Sequence, residues 1–448
     1  MQSFILLVMI VSVFAGIAAG IPVMFVLLGI PILAGLAGTI LGVFEPSFFN
    51  AIPIRIFGIM ENQVLYSVPL FILMGKLLEH SGLAERALSA VTRLFNGGAK
   101  SLSIAVIAIS VAIACTSGIV GATITMLGAV ALPAMRNFQI QEKFSAGLIM
   151  ASGSLGQILP PSIVLILLSD QISSAHVTNQ LAAGNFSPEP VGVGHLFAGA
   201  LLPGLCLAVF YTLYVILVLD EPKKKLPNRN TKKEQTRNDW FGLSAVLSLF
   251  LVPLSILLGF ATTIEAAAIG VLVIGLMVFV SGKGNVLREV LLETTKLNGV
   301  IFGIIISASV FSLVLRGFEG DIIFQSLFSE LPDGALWALI SVMLIVFLLG
   351  FLIEFVEITY VVVPLTAPVL FALGVDPVWF AILMAVNLQI SFLTPPMGIS
   401  LFYYKSVSGI DTPNLYRSVI PYVAIQLLML IAILIFPSLA TWLPSVLI

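Results

Sequence analysis

Long apolar runs separated by short polar segments make up most of this chain. A helix needs about 20 mostly apolar residues to cross a bilayer, and runs of that length predict about ten full crossings. Two further apolar stretches, 101–134 and 334–372, are interrupted at Thr116–Gly118 and at Glu354–Thr359. These predict re-entrant helical hairpins, because non-helical backbone at that depth must lie inside protein or beside a cavity. The predicted crossings are 4–20, 22–43, 64–81, 142–170, 195–219, 240–258, 261–281, 298–315, 376–404 and 418–445.

Composition agrees with a polytopic, all-α membrane protein. Of the 448 residues, 59% are hydrophobic and 9% are charged, whereas soluble proteins carry roughly 25% charged residues. A net charge of −2 offers no field that would attract nucleic acid. No P-loop, G-x-S-x-G or H-E-x-x-H motif is present, so the sequence predicts neither ATP hydrolysis nor another enzyme activity.

Basic residues orient the predicted crossings. Cytoplasmic loops are enriched in Lys and Arg, and one topology places 18 of the 20 on the cytoplasmic side, leaving Arg55 and Arg316 outside. Both termini are then periplasmic, and lipid surrounds the spans. Segments 84–96 and 286–297 predict helices in the membrane interface. The polar stretch 220–239 predicts a solvated cytoplasmic linker.

Two Pro-Pro pairs in similar surroundings indicate an internal repeat. Pro160-Pro161 and Pro395-Pro396 are 235 residues apart, and at the same offset the two predicted hairpin tips also correspond. An odd number of crossings lies between equivalent points, so the second copy is predicted to be inverted. Inverted repeats with broken helices near the midplane are an architecture of secondary transporters. The predicted organisation is a scaffold 1–63, a first repeat 64–219, the linker 220–239 and a second repeat 240–448.

The Pro pairs also predict chemistry. Proline lacks an N–H and clashes with the carbonyl four residues back, so the pairs free the carbonyls of Gly156, Gln157, Ser391 and Phe392. Bare carbonyls are costly in a low-dielectric interior, and a hard cation such as Na⁺ is a suitable partner. The alternative is that each pair only kinks a packed helix, with hydroxyls bonded to their own i−4 carbonyls.

Two cation sites are therefore predicted, each where a helix break faces the tip of its own hairpin. Glu354 and Glu357 are the most informative residues, because a carboxylate at a helix centre in the membrane costs about 2.5–3.5 kcal/mol; a shallow, hydrated tip is the alternative. Site 1 comprises Thr116, Ser117, Gly118, Thr123, Ser152, Gly153 and Gly156. Site 2 comprises Glu354, Glu357, Thr359, Asn387, Ser391 and Thr394, and the residues predicted near the substrate are Ser154, Gln157, Gln389 and Gly398.

Several motifs together resemble the large membrane subunit of tripartite ATP-independent periplasmic (TRAP) transporters. They are Val68–Gly75 with Ser81-Gly82, Ser152–Ser162, Thr263–Gly270, Leu393–Gly398 and Arg417–Pro421, and the resemblance spans nearly the whole chain. The first tip has Ile119-Val120 where the family often has two serines, and with Glu354 and Glu357 it resembles the branch often labelled mannitol/chloroaromatic.

The resemblance implies a Na⁺-driven elevator of the ion-transporter superfamily in a bacterial inner membrane. It further implies a small four-span membrane subunit, a periplasmic binding protein, an organic-acid substrate, and no cofactor or metal beyond Na⁺. Two alternatives are a stand-alone ion-coupled organic-anion carrier or exchanger without a binding protein, and a non-transporting assembly scaffold.

Overall fold

A computed structural model describes residues 1–94, 98–117, 120–220, 232–320, 322–323, 326, 334–396 and 398–448, excluding the side chains of 93–94, 114–117, 232–239 and 246. These residues form helices joined by short connections, and none of them lies in a strand. The α-helices are α1 (Gln2–Ala18), α2 (Val23–Ile40), α3 (Ala51–Glu61), α4 (Gln63–Ser81), α5 (Leu83–Leu94), α6 (Ala99–Ser117), α7 (Val120–Asn137), α8 (Glu142–Ser154), α9 (Ile163–Ala182), α10 (Val193–Val218), α11 (Lys232–Leu257), α12 (Thr263–Val280), α13 (Leu287–Gly317), α14 (Ala335–Leu349), α15 (Phe355–Ala372), α16 (Pro377–Leu393), α17 (Ile399–Ser408), α18 (Thr412–Ile435) and α19 (Ser438–Leu447).

Seven of the helices within the described ranges are each long and apolar enough to cross a membrane: α2, α10, α11, α12, α13, α15 and α18. A bent pair, in which α3 meets α4 at 57°, could supply an eighth. The predicted total of about ten stays a prediction, because α1 and the helices on either side of the Pro-Pro breaks do not qualify singly.

The structure corrects the predicted elements at two places. Helix α13 runs unbroken for 31 residues, so the interfacial helix predicted at 286–297 and the crossing at 298–315 are one element. Its polar side chains cause no break, because Asn298 Nδ2 donates to the Thr294 carbonyl within the same helix at 2.9 Å. The crossing predicted at 418–445 is divided into α18 and α19 before Ser438, where Pro437 is the N-cap.

The predicted linker 220–239 falls partly outside the described residues, which resume at 232. Helix α11 already begins at Lys232, so the last part of that segment is helical. The helix predicted over 84–96 is present as α5, and it packs against α11.

Element boundaries recur 235 residues further along the chain. Helices α7 and α15 correspond end to end, and the left-handed turn residues Gln139 and Gly374, with φ of 57° and 86°, are also equivalent. The contacts between helices also recur at this offset, which relates α4 to α13, α2 to α12, α9 to α17 and α7 to α15. Helix α4 packs on α12 as α13 packs on α2, and α9 packs on α15 as α17 packs on α7. These correspondences support the predicted repeat, and its inversion in the membrane stays a prediction.

Candidate functional site

Both predicted helix breaks are present. Helix α8 ends at Ser154 and a 3₁₀ turn follows; α9 begins only at Ile163, after Pro160-Pro161. Helix α16 ends at Leu393, and α17 begins at Ile399, after Pro395-Pro396. The first half-helix of each break packs against the hairpin of its own half, α8 against α6–α7 and α16 against α14–α15. The second half-helix packs against the hairpin of the other half, α9 against α15 and α17 against α7.

The breaks leave fewer free carbonyls than the sequence predicts. Ser162 Oγ donates to the Gln157 carbonyl at 2.8 Å, and the Thr394 N–H donates to the Ser391 carbonyl at 3.2 Å. The prediction was wrong for those two groups, because a nearby hydroxyl or amide replaces the lost helical donor. No described residue donates to the carbonyls of Gly156 or Phe392. One carbonyl near each break is therefore available to a ligand.

The first break lies directly beside its hairpin. A Cβ on Gly153 would lie 2.7 Å from Ile124 Cγ1, so the absence of a side chain lets α7 approach α8 closely. Thr123 is buried next to this contact. Ser152 donates to the Leu148 carbonyl within its own helix, as the alternative interpretation expected. Gly118 and the side chains of Thr116 and Ser117 lie outside the described residues, so cation site 1 stays a prediction.

The second break has the same relationship to its hairpin. A methyl group on Gly350 would collide with Ser391 Oγ, so the tip and the broken helix are in direct contact. Asn387 Nδ2 donates to the Met343 carbonyl of α14 at 2.6 Å. Thr394 Oγ1 donates to the Ile390 carbonyl at 2.6 Å, again an i−4 bond.

The polar tip of the second hairpin is displaced from its predicted position. Helix α14 ends at Leu349 and α15 begins at Phe355, so the tip is 350–354 and not Glu354–Thr359. Glu354 is the N-cap of α15, in an extended conformation with ψ of 170°. Glu357 and Thr359 therefore lie within α15. Acidic residues at the N-cap and in the first turn are favourable there, because the N-terminus of a helix carries a partial positive charge.

Glu357 faces away from the rest of predicted site 2. Its side chain is 5% exposed, and Oε2 has no hydrogen-bond partner. It lines an apolar cavity together with side chains of α1, α2 and α13, and no hydrogen bond joins it to the other predicted ligands of site 2 among the described residues. The structure thus places Glu357 where the hairpin meets the neighbouring helices, while Ser391 and Asn387 lie at the break.

The two halves meet through equivalent residues. Gln389 Nε2 donates to Ser154 Oγ at 3.2 Å, and these residues are 235 positions apart, which is the repeat offset. Gln426 Nε2 donates to the same oxygen at 3.3 Å and to Tyr211 Oη at 2.8 Å. The sequence pattern predicts Ser154 and Gln389 as site residues, but it does not predict Gln426 and Tyr211. The available signal was a lone glutamine within the apolar run of α18.

Other predicted substrate-proximal residues keep unused polar atoms. Gln157 is fully buried, and neither its amide nitrogen nor its amide oxygen has a partner. The Oε1 atoms of Gln389 and Gln426 are likewise unpartnered. A Cβ on Gly398 would lie 2.6 Å from the Phe392 carbonyl, so glycine is required where the chain passes that free oxygen. Unsatisfied buried polar atoms of this kind are costly and are suited to a ligand.

An ion-pair cluster joins α4 to α13 away from the breaks. Lys76 Nζ lies 2.8 Å from Glu79 and 2.9 Å from Glu293, and His80 Nε2 lies 3.5 Å from Glu293. Ligand atoms of His80, Glu289 and Glu293 lie within 4.8 Å of one another. Because Lys76 already supplies positive charge to Glu293, the cluster is explained as a contact between two helices without a metal ion.

Paired hairpins, each beside a helix broken at a Pro-Pro pair, within a bundle of apolar helices define a multi-pass membrane transport protein. Residues 10–439 match the family described as "Tripartite ATP-independent periplasmic transporter, DctM component". The chain belongs to this family, and its relatives are permease subunits and not enzymes.

Two relatives and one solved structure show the extent of the similarity. The C4-dicarboxylate TRAP transporter large permease protein DctM of Pseudomonas aeruginosa is 28% identical over 418 residues, covering 92% of this chain and 93% of the relative. The sialic acid TRAP transporter large permease protein SiaM of Vibrio cholerae is 27% identical over 441 residues, covering 96% of each. The YdaH transporter of Alcanivorax borkumensis shares the fold, with a TM-score of 0.61, 15% identity and 87% of each chain covered.

Proposed function

We propose that this chain is the membrane permease subunit of a Na⁺-coupled secondary transporter that imports an organic acid delivered by a periplasmic binding protein. A small four-span membrane subunit completes the proposed complex in the inner membrane. The names of the relatives, which are permeases for C4-dicarboxylates and for sialic acid, support a carboxylate substrate. The narrower mannitol/chloroaromatic branch stays a prediction.

The observation that carries the proposal is the contact between Ser154 and Gln389. It brings the two helix breaks together inside the bundle, and each break has one carbonyl, Gly156 or Phe392, to which none of the described residues donates. Hard cations prefer oxygen ligands, and the two carbonyl groups supply oxygen atoms. The half-helices α9 and α17 begin at the same breaks, and the positive ends of their dipoles favour an anionic substrate group.

The packing of the helices supports an elevator mechanism. Helices α4 and α12 pack together, as do α2 and α13, and the Lys76–Glu293 ion pair joins α4 to α13. These four helices are the proposed scaffold. The hairpins and broken helices form the proposed moving body, in which α7 packs on α8 and α17, and α15 packs on α9. Helix α15 also packs on α13 of the proposed scaffold.

Uptake into proteoliposomes tests the proposal. The chain is reconstituted with its small subunit, and labelled organic acids are supplied on the binding protein. We expect uptake driven by an inward Na⁺ gradient and abolished when choline replaces Na⁺. Uptake that is unchanged in choline would remove Na⁺ coupling, and uptake by the purified chain without either partner would favour the stand-alone carrier.

Two substitutions separate transport from a scaffold role. Thr394→Ala removes a hydroxyl at the second break, and Glu357→Gln removes a buried carboxylate. We expect each to lower Na⁺-dependent uptake at an unchanged amount of folded protein in the membrane. A non-transporting assembly scaffold predicts that both variants leave uptake by the complex intact.

A further inference from the structure

A polar cavity of about 300 Å³ lies at a distance from the Pro-Pro breaks, between α3, α4 and α13 on one side and α9 and α15 on the other. Its lining residues include Arg55, Arg316, Ser309, Ser312, Asn62 and Asp170. A volume of this size is at the lower end of the range for small-molecule sites, about 300–1,000 Å³.

The cavity extends along the C-terminal part of the long helix α13, from Ile305 to Arg316. Residues 297–315 carry no charge, and 19 helical residues span about 29 Å, close to the hydrocarbon thickness of about 30 Å. Glu293, in the ion-pair cluster, and Arg316, in the cavity, therefore lie at opposite membrane faces. The distribution of basic residues assigns the Arg316 face to the periplasm, since Arg55 and Arg316 are the two exceptions to the cytoplasmic bias.

Arg55 and Arg316 place two like charges in this cavity. Arg55 is half-buried, and the charged group that acts on it is Arg316, another cation. Within the described part of the chain neither guanidinium forms a salt bridge. A like charge nearby is unfavourable for the half-buried Arg55, whereas Arg316 is exposed. An anion with two oxygen atoms can pair with both, because guanidinium groups match carboxylates in geometry.

The acidic residue of the cavity is already engaged. Asp170 accepts hydrogen bonds from Asn62 Nδ2 at 2.5 Å, from Gln171 Nε2 at 2.8 Å and from the Tyr360 hydroxyl at 3.1 Å. These bonds join α9, α15 and the start of α4 around the cavity. The carboxylate is thus occupied by three neutral donors, and within the described residues it forms no salt bridge with Arg55 or Arg316.

We propose that this cavity is a periplasmic vestibule that binds the carboxylate of the organic acid through Arg55 and Arg316 before the substrate reaches the helix breaks. The inference rests on the proposed function. Asp170 lies seven residues beyond the first residue of α9, so the vestibule is about 10 Å along that helix from the first break. The half-buried position of Arg55 within the cavity favours a small anion over an acidic surface of the binding protein.

Thiol reactivity tests the anion preference without knowledge of the substrate. With both native cysteines replaced by alanine, Ser312→Cys places a thiol in the cavity, and exposed Ser187→Cys serves as the reference. The rates of an anionic and a cationic methanethiosulfonate reagent are compared. We expect the anionic-to-cationic rate ratio at Ser312→Cys to be about tenfold above the reference, and to fall to the reference value in the Arg55→Gln/Arg316→Gln background.

Other outcomes of the thiol experiment would contradict the proposed vestibule. Equal ratios at the two thiols, or a ratio that survives neutralisation of both arginines, contradict an anion site. The measurement is repeated with Ser174→Cys, which places a thiol on α9 at the opposite wall of the cavity. If neither cavity thiol reacts, aqueous anions do not enter the cavity, and the proposal is contradicted. Succinate, sialic acid and gluconate are then added in turn as competitors. We expect at least one of them to slow the reaction of the anionic reagent, whereas chloride should not.

A transport readout connects the vestibule to function. Arg55→Gln and Arg316→Gln are each expected to raise the substrate concentration for half-maximal uptake about tenfold, with the maximal rate largely retained. Arg288→Gln, an exposed arginine on the opposite face, is the matched control. Normal half-saturation with weakened association of the binding protein would instead identify a protein-docking surface and contradict the proposal. If no uptake occurs in any variant, the proposed function fails while the thiol experiment still decides the anion site.

Discussion

The contact between the two halves makes a quantitative prediction for Ser154→Ala. Ser154 Oγ accepts hydrogen bonds from the amides of both Gln389 and Gln426. In the variant, Gln426 keeps its bond to Tyr211, but the Gln389 amide loses its partner inside a fully buried site. An unsatisfied buried donor costs about 1–3 kcal/mol, and single hydrogen bonds between membrane helices average about 0.6 kcal/mol. We expect destabilisation of about 1–2 kcal/mol.

Ser103→Ala is the matched control. Ser103 is equally buried, but its hydroxyl bonds only the Ala99 carbonyl four residues back in the same helix. Such local bonds add little, so its loss is expected to cost less than about 0.5 kcal/mol. Unfolding in mixed detergent micelles, followed by tryptophan fluorescence, measures both variants.

A double-mutant cycle isolates the pair. Ser154→Ala and Gln389→Leu are expected to be non-additive by at least about 0.5 kcal/mol, because both remove the same bond. Equal effects of Ser154→Ala and Ser103→Ala, together with strict additivity in the cycle, would refute the idea that this hydrogen bond joins the two repeats.

Three further outcomes follow from the packing. Gly147→Ala should strongly lower the thermal unfolding temperature, because the methyl group would collide with the Ser418 backbone carbonyl; an unchanged temperature contradicts the close helix contact. Glu357→Leu should raise stability by about 1 kcal/mol, since it replaces an unpartnered carboxylate oxygen in an apolar cavity; a lower unfolding midpoint would indicate an essential polar role. Glu293→Gln should lower stability by about 0.5–1 kcal/mol at low salt through loss of its pairing with Lys76, and this difference should shrink at 1 M salt.

Sequence reasoning located the helix breaks because their cause is local. Proline restricts the backbone and removes a donor wherever it stands, so Pro160-Pro161 and Pro395-Pro396 predicted the interruptions of α8–α9 and α16–α17. The offset of 235 residues then predicted which residues would be equivalent. That Ser154 and Gln389 touch requires the three-dimensional arrangement of the halves, which no local pattern contains.

The errors also have physical reasons. The tip of the second hairpin was placed too far along the chain because polar side chains were taken to mark the break, whereas Glu354 caps α15 and Glu357 lies in its first turn. Freed carbonyls were overcounted because the hydroxyl of Ser162 and the amide of Thr394 can reach back to them. Whether a nearby donor replaces the lost helical hydrogen bond depends on local backbone geometry, which the hydropathy pattern does not show.

The arginine-lined cavity shows a different limitation. Arg55 and Arg316 are distant in sequence, and in the sequence alone they differ from the other basic residues only as exceptions to the cytoplasmic charge bias. Their proximity arises because α3 packs on the end of α13. A pair of unmatched charges becomes informative only when the fold brings the two side chains to one cavity.

The most direct test of the central claim, that the two halves are inverted copies, is the membrane face of two equivalent residues. Asn137 and Ala372 are both exposed, both end the second helix of a hairpin, and are equivalent in the repeat. Each is changed to cysteine in a cysteine-free background and treated with a membrane-impermeant maleimide on intact spheroplasts. The account predicts labelling of Ala372→Cys in intact spheroplasts and of Asn137→Cys only after permeabilisation. Labelling of both from the same side would contradict it.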